Sequence, residues 1–512
     1  MSAASALVRR AASSTIGSLF AAQARFYPQR IAIEDASTRL TYAALDDAVN
    51  RAGHAMMRLG VTHGERVAIL SENRAEYIVV ELACAKFGAV LACQNWRLSP
   101  QELQHCVDLI APALIIVSPR HAGLLAQMQI GTTPVISLGA EWDCALASAP
   151  DDAIAAEIDS EDPLFILYTS GTTGLPKGAV LSHRAEIARS FVMPLDLGIR
   201  NADTILGWPP LYHMGGTEPA LCALLTGGRV LIQDGFDPAR IAETVTRESF
   251  GWISIMPGAA GALIAALEKN TAPPKDVANC GVMPDLIAPH DIARVTALLG
   301  ASYCNTFGAT ETGTAPLSGN RIAPGVVPAD FAKTPSPASE IRLVDAESRD
   351  VADGEVGELA MRGPTLFSGY WRDEAATAED FRGGWFHMGD MFSRRADGRY
   401  DYVDRRKYLI KSGGENIYPA EIERVLLADP RVADAVVVRR KDSRWGEVPV
   451  ALVVAREAIP NVDDLATRCR FALAGFKQPK EIRLVSAEQI ARSTTGKIQR
   501  RALEEWVASS PR

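Results

Sequence analysis

Short apolar runs rich in β-branched residues recur along the first four hundred residues, and longer stretches with helical spacing lie between them. Candidate strands are Arg66–Ser71, Ala89–Cys93, Ala113–Ser118, Pro134–Leu138, Leu164–Thr169, Arg229–Gln233 and Trp252–Met256. Helical stretches include Tyr42–Leu59 and Glu76–Phe87. This alternation predicts an α/β fold whose parallel-type sheets are flanked by helices. After about Ser339 the pattern changes. Glu340–Asp345 and Gly357–Arg362 read as shorter, half-exposed strands of a β-rich subdomain. The tail then gives a helix at Pro419–Leu427, strands at Ala433–Arg439 and Val448–Val454, a helix at Val462–Leu473 and a strand at Glu481–Val485. Those elements make a small α+β module. The charged stretch Asp404-Arg405-Arg406-Lys407 reads as the linker, so the expected units are residues 1–404 and 405–512.

Composition narrows the function classes. A chain of 512 residues is too long for one core. It carries 53 Lys plus Arg against 61 Asp plus Glu, a net charge of −8, which leaves no global footprint for nucleic acid. No apolar run approaches the ~18 residues that span a bilayer. The eight cysteines, Cys84, Cys93, Cys106, Cys144, Cys222, Cys280, Cys304 and Cys469, form no Cys-x-x-Cys pair and show no zinc-finger spacing. They read as buried, reduced thiols of a cytoplasmic protein. Met1–Gln29 contains no acid and carries Arg9, Arg10 and Arg25, as organellar transit peptides do; a short flexible tail before the first helix is the preferred reading.

Candidate chemistry is densest at Tyr168–Gly178, which follows an apolar strand. Gly171 and Gly174 allow close backbone approach, and the hydroxyls of Thr169, Ser170, Thr172 and Thr173 add donors. Lys177 adds a positive charge. That is what a phosphate cradle requires. The order Gly171-x-x-Gly174-x-x-Lys177 is not that of a Walker A loop.

The segment resembles the phosphate loop of the adenylate-forming superfamily: acyl-CoA synthetases, nonribosomal-peptide adenylation domains and firefly-type luciferases. Further motifs follow in that family's order, from about Thr15 to Leu503. Phe307-Gly308-Ala309-Thr310-Glu311 resembles its aromatic-Gly-x-Thr-Glu motif. The resemblance implies that Phe307 and Gly308 lie by the adenine, that Thr310 touches the α-phosphate, and that Glu311, with Thr169, binds Mg²⁺. Phe307 stands where the family usually has Tyr. Gly384–Asp390 is similar to the Trp-x-x-Thr-Gly-Asp motif, with Met388 in place of Thr, and makes Asp390 the implied ribose ligand. Arg405 matches an arginine that also reaches the nucleotide, and Lys407 matches the hinge. Lys411–Glu423 matches the signature at the start of a mobile lid domain, where Gly413 and Gly414 line a thiol tunnel. Lys497 matches the catalytic lysine that steadies negative charge on the α-phosphate. His213, in Trp208–Gly215, takes the position of a ring that gates the carboxylate pocket, as a wall and not as a base. Taken singly, Glu311, Asp390, Arg405 and Lys497 read as ordinary surface charges. One departure is Val282–Pro289, where Met283 and Pro284 replace the glycines usual before the adenine site.

The resemblance implies an ATP-dependent acyl-CoA synthetase using ATP, Mg²⁺ and coenzyme A on a small-molecule carboxylic acid. It leaves a homodimer open. An enzyme that loads a carrier-protein thiol is the runner-up; the absence of a carrier domain before Arg512 favours free coenzyme A. A catalytically inactive nucleotide-binding homologue is a third reading, opposed by the presence of Lys177, Glu311, Asp390, Arg405 and Lys497. The expected acid is apolar and of modest size, medium-chain or aromatic. An amino acid would need a buried carboxylate for its ammonium. Near the gate only Glu218 is acidic, and the proline after it suggests a helix cap instead.

Overall fold

The computed structural model describes residues 8, 11–170, 175–456, 458–492 and 498–510. Two mostly parallel sheets make the bulk of the chain. The first has six strands in the order Val135–Ser137, Leu114–Val117, Arg66–Leu70, Val90–Cys93, Pro163–Ser170 (β1) and Pro176–Ser182 (β2). Every neighbour pair is parallel except β1–β2, an antiparallel hairpin at the edge. The second sheet has eight strands, parallel from Ser302–Asn305 through Ile31–Glu34 and antiparallel at both ends. A continuous apolar core joins the two sheets. Helices Ala75–Phe87 and Met214–Leu225 run through it, buried on nearly all sides. Their sequences are therefore apolar all round, not amphipathic.

A third sheet is antiparallel: Glu340–Val344, Val356–Arg362, Phe386–Arg394 (β3) and Tyr400–Arg405 (β4). The fourth, C-terminal sheet begins at Ile410–Ser412 and carries helix Pro419–Leu427 (α1) on one face. The chain thus passes from the third sheet to the fourth over residues 406–409.

Several expectations need correction. The strand expected at Trp252–Met256 runs from Ser249 to Ser254, because Pro257 opens a 3-10 turn. The strand at Gly357–Arg362 is buried through Met361, since it is interior to its sheet. Cys144 is exposed on a surface helix, whereas the other seven cysteines are buried. Strands such as β2, β3 and β4 were hidden in the sequence by embedded Gly, His and Asp residues that site geometry retains.

The N-terminal helix Ile16–Phe26 has a polar tie to the core: the Ile16 N–H donates to His183 Nδ1 at 3.2 Å. Burial holds the His183 pKa down to about 4, so the folded ring is neutral. Its contribution is complete above the ordinary value of 6.5 and is lost as the pH falls from there through about 4. Urea unfolding should show about 2–3 kcal/mol less stability at pH 4.5 than at pH 7.5 from this residue. His183→Gln, which keeps an acceptor and cannot titrate, should lack that component. Equal acid losses in the two proteins would refute the assignment.

Candidate active site

β1 and β2 place Thr169 directly across from Lys177, and Tyr168 across from Gly178. Gly171, Thr172, Thr173 and Gly174 lie outside the described residues, as does the side chain of Ser170. A third segment joins the hairpin edge. The Trp371 N–H donates to the Gly178 carbonyl (2.8 Å), the Val180 N–H to Gly369 (2.9 Å), and the Ser368 N–H to Val180 (2.8 Å). This ladder swings Tyr370 under Lys177, whose Nζ sits 4.7 Å from the ring centroid. The Phe367 N–H takes the Glu311 carbonyl at 2.9 Å, which brings in the motif from the other large sheet.

Tyr370 is the meeting point. Its hydroxyl lies 3.2 Å from Glu311 Oε1 and 3.0 Å from Asp380 Oδ2. A phenol has one hydrogen and cannot satisfy two anionic carboxylates at once. Burial raises the Asp380 pKa, so Asp380 is the partner suited to carry the second proton.

Phe307 is 3% exposed. Its ring packs edge-on against Phe392 (4.8 Å) and tilted against Tyr402 (5.8 Å), with Met283 and Met388 alongside. Asp390 and Arg405 stand opposite each other on β3 and β4 and form an ion pair, Nε to Oδ1 at 3.2 Å. Two expected nucleotide ligands are thus each other's partners. Burial raises the Asp390 pKa and the guanidinium opposes that shift. Thr310 is buried, whereas Gly308 is exposed beside it.

His213 caps helix Met214–Leu225 (α2): its Nδ1 accepts the Gly215 N–H at 3.1 Å. That bond commits one ring nitrogen to capping the helix. Glu218 is not a helix cap. It lies inside α2, fully buried, and pairs with Arg189 at 2.8 Å. Arg189 also donates to the Thr365 carbonyl and packs against Gly313, where a Cβ would come within 2.9 Å of it. Buried Asn73 accepts the Leu211 N–H and donates to the Pro209 carbonyl, which fixes the loop before α2. Sequence reasoning missed Tyr370, Asp380, Arg189 and Asn73. Only Gly369-Tyr370, an aromatic beside a flexible residue next to a charged helix, offered any signal.

In the C-terminal unit Gly413 and Gly414 both have positive φ, at 59° and 90°. The indole of Trp445 lies on Gly413, where a Cβ would meet it at 2.7 Å. The Arg444 guanidinium (4.8 Å) and Lys480 ammonium (6.0 Å) approach that half-exposed ring. A cleft of about 350 Å³ nearby is lined by Arg406, Lys407, Leu409, Lys411, Arg439 and Glu447, a cationic surface suited to phosphate. Lys497 lies outside the described residues, between Arg492 and Ile498, which pair as an antiparallel bridge.

The oxygens of Glu311 and Thr169 are hard donors that fit Mg²⁺. Among the described residues no cluster of three or more acidic, His or Cys side chains could hold a metal. An ion that arrives on substrate phosphates needs no such cage.

Residues 20–371 match the family described as AMP-binding enzyme, and residues 421–497 match AMP-binding enzyme C-terminal domain. The feruloyl-CoA synthase of Amycolatopsis sp is 33% identical over 496 residues, covering 94% of this chain and 97% of that one. The indoleacetate–CoA ligase of Aromatoleum aromaticum is 33% identical over 505 residues, with 94% and 96% covered. Among solved structures, ATP-bound MatB from Rhodopseudomonas palustris superposes with a TM-score of 0.83 at 26% identity, over 97% of this chain and 99% of that one. The anthranilate CoA ligase AuaEII shares the fold with a TM-score of 0.87 at 22% identity, over 97% and 98%.

The Arg189–Glu218 pair yields a stability prediction. Glu218→Ala removes the closer of the two buried carboxylates that pair with Arg189, leaving Glu186 at 3.5 Å, and should cost about 1–3 kcal/mol in urea unfolding. Arg189→Met/Glu186→Gln/Glu218→Leu, which removes all three charges of the cluster, should recover most of that. If Glu218→Ala were as stable as the wild type, Glu218 would be free to face a substrate instead.

Proposed function

The chain belongs to the AMP-binding enzyme family, and from that premise we propose that it is an ATP-dependent acyl-CoA synthetase acting on aromatic or medium-chain carboxylic acids. The observation that carries the reading is the convergence of Lys177, Glu311 and Tyr370, drawn from both large sheets, beside the Phe307 and Asp390–Arg405 wall. These groups supply a phosphate cation, a metal carboxylate, an apolar face for a base and a carboxylate for a ribose.

The reaction has two steps. A carboxylate oxygen attacks the α-phosphorus, and the bond to the bridging oxygen breaks to release pyrophosphate. The thiol sulfur then attacks the acyl carbon, AMP leaves with the bonding electrons, and the thiol proton goes to solvent. Magnesium, held by Glu311 with Thr169, would neutralise phosphate charge. Lys177 and the backbone of residues 169–174 hold the phosphates, Thr310 the α-phosphate, and Asp390 with Arg405 the ribose. Lys497 stabilises the charge that develops on the α-phosphate. Lys407 serves as the hinge about which the chain beyond it swings, bringing Gly413 and Gly414 to the thiol route. Trp445, with Arg444 and Lys480, offers a stacking face and cations for the nucleotide end of coenzyme A.

The acid class rests on two supports. The relatives' names include ferulate, indoleacetate and 2-succinylbenzoate, all aromatic. The pairing of Glu218 with Arg189 in the interior supports an acid that carries no ammonium. The test is AMP release with ATP, Mg²⁺ and coenzyme A over ferulate, indoleacetate, benzoate, octanoate, palmitate, acetate and amino acids at equal concentration, with Lys497→Ala as control. Aryl acids or octanoate should be preferred, and the control should lose on the order of 10²–10³ in rate. Preference for acetate, palmitate or any amino acid contradicts the proposed class, and an unimpaired control contradicts the lysine assignment.

A further inference from the structure

Lys333 is fully buried; burial lowers its pKa, and the Asp285 carboxylate opposes that shift. Its Nζ donates to Asp285 Oδ2 at 2.6 Å and to Asn305 Oδ1 at 2.7 Å. Its backbone exchanges hydrogen bonds in both directions with Tyr400, at 2.7 and 2.9 Å. The Asn305 amide donates in turn to the carbonyls of Phe331 and Ala332, the residues just before Lys333. The ammonium therefore fastens two separate segments, and the main chain of Lys333 fastens a third.

Each of those segments delivers a residue to the same apolar cluster, two positions away from its point of attachment. Met283 precedes Asp285 by two, Phe307 follows Asn305 by two, and Tyr402 follows Tyr400 by two. Met283, Phe307 and Tyr402 pack together, with the Tyr402 ring 5.8 Å from Phe307. The Met283 turn is also the segment that departs from the glycine-rich pattern of the family.

We propose that Lys333, with Asp285 and Asn305, is a positioning element that clamps the Met283–Pro284 turn and the Phe307 ring into the adenine side of the nucleotide site. The inference rests on the proposed nucleotide-dependent activity. Lys333 has no exposed surface, so it acts through its three neighbours and not by touching the nucleotide. Stability alone does not require a charge at this place, because buried ion pairs are often replaceable by apolar residues of similar volume. That property supplies the test.

The double variant Lys333→Met/Asp285→Leu removes both charges together. Three quantities are measured: the melting temperature, the KM values for ATP and for the acid in acid-dependent pyrophosphate exchange, and the Kd of AMP by calorimetry. The double variant should melt within a few degrees of the wild type. Its AMP Kd and ATP KM should rise tenfold or more, while the KM of the acid changes less than threefold. Asp285→Asn, which keeps the hydrogen bond and loses the charge, should show a smaller rise in the same two constants. A normally melting double variant with AMP Kd and ATP KM within threefold of wild type overturns the proposal. If the double variant does not fold, Asp285→Asn decides: an AMP Kd weakened threefold or more upholds the clamp, and an unchanged Kd overturns it. A wild-type protein that binds no nucleotide would overturn the functional reading and the clamp with it.

Discussion

The site depends on a short backbone ladder. Gly178 and Val180, at the edge of the six-stranded sheet, pair with Ser368, Gly369 and Trp371. Without that pairing Tyr370 would not reach Lys177 on one side and Glu311 on the other. The hairpin belongs to one parallel sheet, and Glu311 follows the strand Ser302–Asn305 of the second. A ladder of main-chain bonds sets strand register, and register sets which side chains face each other. Gly369 at φ 106° makes the approach possible, and its Cα packs on Thr377. Nucleotide chemistry needs cation, carboxylate and aromatic face fixed relative to one another, since positioning and preorganised charge supply most of the rate.

Charge is managed in the same economical way elsewhere. Asp390 with Arg405, Glu218 with Arg189 and Lys333 with Asp285 are pairs in which one member is buried almost completely. Isolated, each would be costly in the interior. The contacts between the C-terminal unit and the rest are also polar: Arg456 with Asp291 (2.7 Å), the Ala420 N–H with Asp404 (2.8 Å), and Arg424 with the Tyr402 carbonyl (2.9 Å). Water can replace such bonds, and an interface of that kind is compatible with the domain motion proposed above.

Much of the fold was legible in the sequence because its apolar runs are clean. Helix Pro419–Leu427 and strand Glu481–Val485 fall where periodicity and the first-turn proline put them. Strands β3 and β4 were not legible, because Gly389, Asp390 and Asp404 break the apolar pattern for the sake of the site. The linear motifs marked Lys177, Phe307, Glu311, Asp390 and Arg405 as candidates. They did not reveal that Asp390 meets Arg405, or that Tyr370 unites Lys177 with Glu311, because those contacts join residues distant in sequence. Glu218 looked like a cap and is a buried counter-ion for the same reason: its partner Arg189 lies on another helix.

The central claim is that the acid is activated by forming a bond to the α-phosphorus of ATP. The direct measurement uses a preferred acid labelled with ¹⁸O in both carboxylate oxygens, turned over with ATP, Mg²⁺ and coenzyme A, with mass spectrometry of the products. Transfer of one labelled oxygen into AMP, with pyrophosphate unlabelled, is the predicted result. Label in pyrophosphate or orthophosphate, or AMP free of label, would contradict the account.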